Sequence, residues 1–137
     1  MAYLALAHGA KGLIYWCYYN MRVLPQYEEM WGWMKRIGEE VKTLSPVLLA
    51  PDDLGPVGAD TLPITIHTKL KRCEGRLYLI AVNAANEPYE ANFDVGRALP
   101  PQVEVMFEGR KASAKGRQLT DRFEALEVHV YDLGKAR

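Results

Sequence analysis

The sequence predicts an α+β chain, a mainly antiparallel β-sandwich preceded by a helix–strand–helix segment. Two changes of pattern carry that prediction. Apolar residues recur at spacings of three and four up to about residue 44, and at spacings of two from residue 61 onward. Between them, residues 46–60 collect Pro46, Pro51, Pro56, Gly55 and Gly58 with three aspartates, the composition of a linker. The expected organisation is therefore 1–45 for the helix–strand–helix segment, 46–60 for the linker and 61–137 for the β-domain.

Ala2 to His8 is built of helix formers, with Tyr3, Leu4 and Ala7 able to share a face and Gly9 in the position of a C-terminal cap. Two turns are marginal alone, so this helix must lean on other structure. Leu13 to Trp16 is continuously apolar, the pattern of a strand buried on both faces. Pro25 opens a second helix, expected over about 26–44, with Tyr27, Met30, Met34, Ile37, Val41 and Leu44 on one stripe. Glu28 and Glu29 in its first turns and Lys42 near its end suit the helix dipole. Pairs Lys35 with Glu39 and Arg36 with Glu40 support its wet side, and Ser45-Pro46 is expected to end it.

In the β-domain, Leu62, Ile64, Ile66 and Thr68 form the first alternating run, with Pro63 suited to an edge or a strand start. Tyr78, Ile80 and Val82 follow the Cys73-Glu74-Gly75 turn. Tyr89, Ala91, Phe93 and Val95 form the next run, then Val103, Val105 and Phe107, and later Leu126, Val128 and Val130. Pro100-Pro101, Glu108-Gly109 and Lys115-Gly116 punctuate them. Six or seven short strands with turns this frequent describe a sandwich or an open barrel.

Lys plus Arg equals Asp plus Glu at 17 each, so the formal net charge is zero and no nucleic-acid or anionic-membrane footprint is present. No apolar run approaches the ~20 residues of a membrane span, and residues 2–7 lack the basic flank of a signal peptide. The chain reads as soluble, cytoplasmic by default. Cys17 and Cys73 are expected as buried thiols, with a disulfide between them as the alternative.

The densest aromatic group is Trp16, Tyr18 and Tyr19, with Trp31 and Trp33 downstream in the helix. Aromatic faces at a strand end suit stacking on sugar rings, while phenol and indole groups donate hydrogen bonds. Trp16, Tyr18 and Asn20 are thus the candidate ligand-facing residues; packing for the aromatics and a turn role for Asn20 are the alternatives. Trp31 and Trp33 read as helix packing residues. A glycosidase needs two carboxylic residues flanking the scissile bond, and no such pair stands out among Glu28, Glu29, Glu39, Glu40, Asp52, Asp53 and Asp60. His8, His67 and His129 do not converge by sequence on a metal site, although His67 and His129 could meet across a sheet. Phosphate-loop and Gly-x-Ser-x-Gly patterns are lacking, so no catalytic residue, metal or cofactor is expected.

The run Ala5-Leu6-Ala7-His8-Gly9-Ala10-Lys11-Gly12-Leu13-Ile14-Tyr15-Trp16 resembles the end of the catalytic barrel in (β/α)8 glycoside hydrolases of the β-galactosidase-like kind. The stretches 76–83, 105–110 and 123–131 resemble strands of the C-terminal β-sandwich that commonly follows such a barrel. The resemblance implies that 1–45 spans the seventh helix, eighth strand and eighth helix of a TIM barrel. It also places Trp16 at a sugar subsite and the catalytic acid and nucleophile on strands that precede Met1. The implied function is a non-catalytic C-terminal region of a glycoside hydrolase, the β-domain supporting the barrel. A stand-alone carbohydrate-binding module or a small homodimeric interaction protein is the alternative. The expected partners are carbohydrate and a second copy of the chain through residues 11–44.

Overall fold

The computed structural model describes residues 1–15, 22–51, 54, 57 and 62–135. Among these residues two helices, α1 (Ala2–Ala7) and α2 (Tyr27–Leu49), precede seven strands. These are β1 (Ile66–Cys73), β2 (Arg76–Asn83), β3 (Tyr89–Asp94), β4 (Gln102–Val105), β5 (Arg110–Lys115), β6 (Gln118–Phe123) and β7 (Val128–Lys135). All pairings are antiparallel.

The strands form one hydrogen-bonded sheet in the order β1-β2-β7-β4-β5-β6-β3. This differs from a sandwich of two separate sheets. The single sheet curls until its inward residues meet, so Ile66 and Leu70 at one edge share a core with Ala91 and Phe93 at the other. Phe93, Phe123 and Tyr131 stack edge to face or tilted in its centre, with ring centroids 6.1 and 6.2 Å from Phe93. Local turns set the register. The two-residue Glu74-Gly75 turn has positive φ at both positions, and the Gly116-Arg117 turn has it at Gly116, as tight hairpins demand.

The central strands β2 and β7 are buried on both faces. Leu77, Leu79 and Ala81 face the curled interior, whereas Ile80, Val82 and Val130 face Tyr3, Leu6, Ala7, Leu44 and Leu48 of the helices. The residues Val128 and Val130, which the alternation singles out, therefore point to the helices. Their neighbours His129, Tyr131 and Leu133 are the buried set on the other face.

α1 ends as expected. Gly9, at φ +93°, donates to Leu6 O and Ala10 donates to Ala5 O, closing the last turn. α2 departs from expectation by running through Pro46 to Leu49. An interior proline costs about 3 kcal/mol. Burial of Leu44, Val47 and Leu48 offsets it, at about 1.5–3 kcal/mol for each apolar side chain. The helix end is fastened from outside: Lys11 Nζ donates to Leu48 O at 3.2 Å, and the buried Lys71 donates to Ala50 O. Two ammonium groups on the terminal carbonyls replace the role expected of Lys42.

The described part of the expected strand 13–16, Leu13 to Tyr15, is not a strand. A parallel strand needs hydrogen-bonded neighbours on its edges, and none of the seven strands pairs with this stretch. Leu13 instead packs into the helix-covered cluster, while Ile14 is 95% exposed. Cys73, at the end of β1, is a half-buried free thiol rather than a buried one. Cys17 lies outside the described residues.

Candidate functional site

Trp16, Tyr18 and Asn20 lie outside the described residues. What the described residues do bring together is a groove of about 530 Å³ between the helices and two turns of the sheet. Tyr3, Trp33, Arg36 and Glu40 form its helical wall, while Phe107, Glu108, Glu124 and Leu126 come from the β4–β5 and β6–β7 turns.

Helical spacing puts Trp33, Arg36 and Glu40 on neighbouring turns of one face. Arg36 Nε donates to Glu40 Oε1 at 3.0 Å, the ion pair expected from the sequence, and its guanidinium lies 5.7 Å from the Trp33 ring centroid. Tyr3 Oη donates to the other Glu40 oxygen at 2.7 Å. Burial, followed by this hydrogen bond to a carboxylate, holds the Tyr3 phenol far above its usual range. Trp33 is 54% exposed, which corrects its reading as a packing residue.

The opposite wall rests on a polar network reaching under the sheet. His129, on β7, is 2% exposed, and its Nδ1 lies 2.6 Å from Glu108 Oε1, to which the ring N–H donates. The other Glu108 oxygen accepts from Arg110 Nε at 2.6 Å. Arg110 then reaches both oxygens of Asp121 at 2.9 Å, and Tyr131 Oη donates to Asp121 Oδ2 at 3.0 Å. The bond to Asp121 raises the Arg110 guanidinium above its ordinary range; burial, with Asp121 beside it, raises the Tyr131 phenol. Asn83, fully buried at the end of β2, donates to Glu87 O and Glu124 O and accepts from the Ala85 N–H, fixing the β6–β7 turn against the sheet.

Phe107 (φ +68°) and Leu126 (φ +60°) hold left-handed backbone, which costs roughly 1–2 kcal/mol for a residue with a Cβ. Both side chains stand exposed at the groove. Alternation alone assigns both to strands. Glu108-Gly109 is the one signal of a turn at Phe107, and nothing local marks Leu126.

The groove carboxylates are already engaged: Glu40 with Tyr3 and Arg36, Glu108 with Arg110 and His129, Glu124 with Arg122 Nε, and Glu127 with the Glu124 N–H. Such groups hold positions and offer polar contacts.

His67 does not meet His129. It lies on the helix side of β1 and faces His8, with His8 Nε2 2.9 Å from His67 Nδ1. Burial, then the His8 charge, lowers the His67 imidazole below its ordinary range. Among the described residues, no three His, Cys, Asp or Glu side chains gather as a metal site. Among the described residues no helix is long and apolar enough to cross a membrane.

No family model matches the chain, and no curated protein matches it. Solved structures do. AmyP in complex with maltotriose matches 69% of this chain and 19% of its own, at 14% identity and a TM-score of 0.51. An α-amylase from Anoxybacillus matches 52% of this chain and 16% of its own, at 13% identity and a TM-score of 0.45. A GH30 endoxylanase from Clostridium papyrosolvens matches 54% of this chain and 21% of its own, at 12% identity and a TM-score of 0.43. The chain thus spans about a fifth or less of the length of each protein it matches. At 14% identity the likeness to AmyP is one of fold alone.

Proposed function

We propose that the chain is the non-catalytic C-terminal region of a glycoside hydrolase. In this reading residues 61–137 are a β-domain that braces a catalytic barrel, 46–60 connect it, and 1–45 are the barrel's last helix, strand and helix. Trp16, Tyr18 and Asn20 then line a sugar subsite of the intact enzyme.

The observation that carries the reading is the unequal use of α2. Its apolar stripe is as regular as the spacing requires, yet from Tyr27 to Thr43 no residue is fully buried, and Leu44, Val47 and Leu48 alone reach the core. Large apolar side chains of the same region stand exposed, among them Ile14, Val23, Leu24 and Trp33. An apolar surface of this kind is built to be covered. The resemblance of residues 5–16 to a barrel end names the barrel as the cover, and the fold likeness to part of AmyP supports a carbohydrate-active parent. In isolation the same surface, residues 11–44, pairs two copies.

The coding sequence directly upstream of Met1 tests the proposal. It is expected to continue in frame through the remaining barrel strands, and an in-frame stop codon at that place overturns the reading. The purified chain is expected to be inert on aryl glycosides. Turnover abolished by a single carboxylate substitution would overturn the non-catalytic assignment. Light scattering is expected to show a dimer, against which a monomer at high concentration counts.

A further inference from the structure

His129 sits between the two turns that form the sheet wall of the groove. It is 2% exposed, with the Phe123 ring centroid 4.4 Å from its own, and each of its nitrogens faces oxygen. Nδ1 lies 2.6 Å from Glu108 Oε1, in the β4–β5 turn. Nε2 lies 3.2 Å from Arg122 O, on β6, and 3.5 Å from Glu127 Oε2, in the β6–β7 turn. Carboxylate and carbonyl oxygens only accept. A neutral imidazole keeps one bare lone pair, so either tautomer sets that lone pair against an oxygen. The imidazolium, with an N–H on each nitrogen, satisfies both sides at once, and a buried charge is sustained where it is paired and hydrogen-bonded.

We propose that His129 is a proton-operated latch that ties the β4–β5 turn to the β6–β7 turn and so fixes the groove wall they form. Each tie ends beside a left-handed residue: Glu108 follows Phe107 and Glu127 follows Leu126, whose side chains stand exposed at the groove. Backbone in a sparsely populated region persists only where its surroundings over-determine it. The latch supplies that constraint to both turns from one ring.

The neighbouring charges accommodate the added proton. Arg110 Nη2 lies 3.2 Å from Nδ1 and 3.1 Å from Nε2. A position so nearly equidistant from the two nitrogens lies over the ring face and off either lone pair. This second cation opposes the proton, but Glu108, Asp121 and Glu127 set three carboxylates against the two cations. Tyr131, with its ring centroid 6.1 Å away, holds its own proton and adds no charge. Once the His129 proton is lost one tie breaks, whichever nitrogen keeps its hydrogen. The latch is therefore complete on the acid side of the His129 transition and released as pH rises through it.

Ring-nitrogen magnetic resonance of the whole chain, titrated from about pH 5 to about pH 9 to bracket the ordinary imidazole range, tests the latch. Near pH 6 both His129 nitrogens are expected to carry protons. As pH rises one proton is lost, and the backbone amides of Glu108, Glu124 and Glu127 are expected to shift with the same midpoint while those of Leu70 and Leu77, in β1 and β2, hold still. Glu127→Gln keeps an acceptor for the Glu124 N–H, 2.6 Å from Glu127 Oε2 in the parent, but removes a charge. It is expected to lower the midpoint by about one pH unit with unchanged circular dichroism. A bare ring nitrogen near pH 6, a ring that keeps both protons up to about pH 9, turn amides that shift apart from the ring, or a midpoint indifferent to Glu127→Gln each overturns the proposal.

Discussion

The sharpest test of how α2 is used compares Leu44→Ala with Ile37→Ala. Leu44 is fully buried against Ile80, Val82 and Val130 of the sheet. Truncation removes three carbon groups at about 0.8 kcal/mol each and leaves a cavity that the flanking strands cannot close, so the cost is about 3–4 kcal/mol. Ile37 lies two turns earlier on the same stripe, half-buried and outside both core clusters. There about half of the transfer energy is at stake and no closed cavity forms. The better helix propensity of alanine returns a few tenths, leaving a cost of about 1 kcal/mol or less. Urea unfolding followed by far-ultraviolet circular dichroism measures both changes, and repeating it over a wide range of protein concentration separates folding from self-association. An Ile37→Ala cost equal to that of Leu44→Ala, independent of concentration, would show that the stripe is already committed within the chain. The proposed docking face would then be refuted.

Three further outcomes are expected. Pro46→Ala restores an amide hydrogen within α2 and should raise stability by about 1–3 kcal/mol in the same urea assay, since an unstrained helix interior prefers alanine. Tyr131→Phe removes a buried hydrogen bond to the Asp121 carboxylate and should cost about 1.5–3 kcal/mol, with Arg110 still holding Asp121. The pH profile should fall on the alkaline side: Tyr3 and Tyr131 keep their protons in the folded chain well above the usual phenol range, whereas the unfolded chain loses them near pH 10. Their stabilising contribution is complete below pH 10 and declines as pH rises beyond it. Ultraviolet titration should therefore show these two phenols ionising together with unfolding, and ionisation before unfolding would contradict the assignment.

Much of the fold follows from periodicity. The stripe of α2, the glycine that closes α1 and the runs around Ile80, Phe93 and Val105 are local patterns with local causes, and they fold as read. What local pattern could not supply was the alternative partner. Pro46 is a stop signal until Leu44, Val47 and Leu48 have a sheet to bury against. Leu13 to Tyr15 is a strand only where neighbouring strands exist. The alternation at β7 marks Val128 and Val130 but cannot say that both faces are buried, since one polar-looking face holds His129 inside an ion network. The groove was less legible than the fold, because its left-handed residues, Phe107 and Leu126, look like ordinary strand apolars. The pairing of His8 with His67 depends on a docking of α1 that no spacing encodes.

The strand order also dictates when the helices can settle. Their seat is made jointly by Ile80 and Val82 of β2 and by Val128 and Val130 of β7, two strands separated by more than forty residues of chain. Hairpins β1–β2, β4–β5 and β5–β6 close over two to four residues and can form as soon as they emerge from the ribosome. The β2–β7 ladder must wait for the last strand, and long-range pairing of that kind is slow to form. Throughout synthesis, then, α1 and α2 are made before the strands that seat them and are among the last of these elements to find their place. Their apolar faces stay open to chaperones, to other nascent chains or to an adjoining domain until β7 arrives.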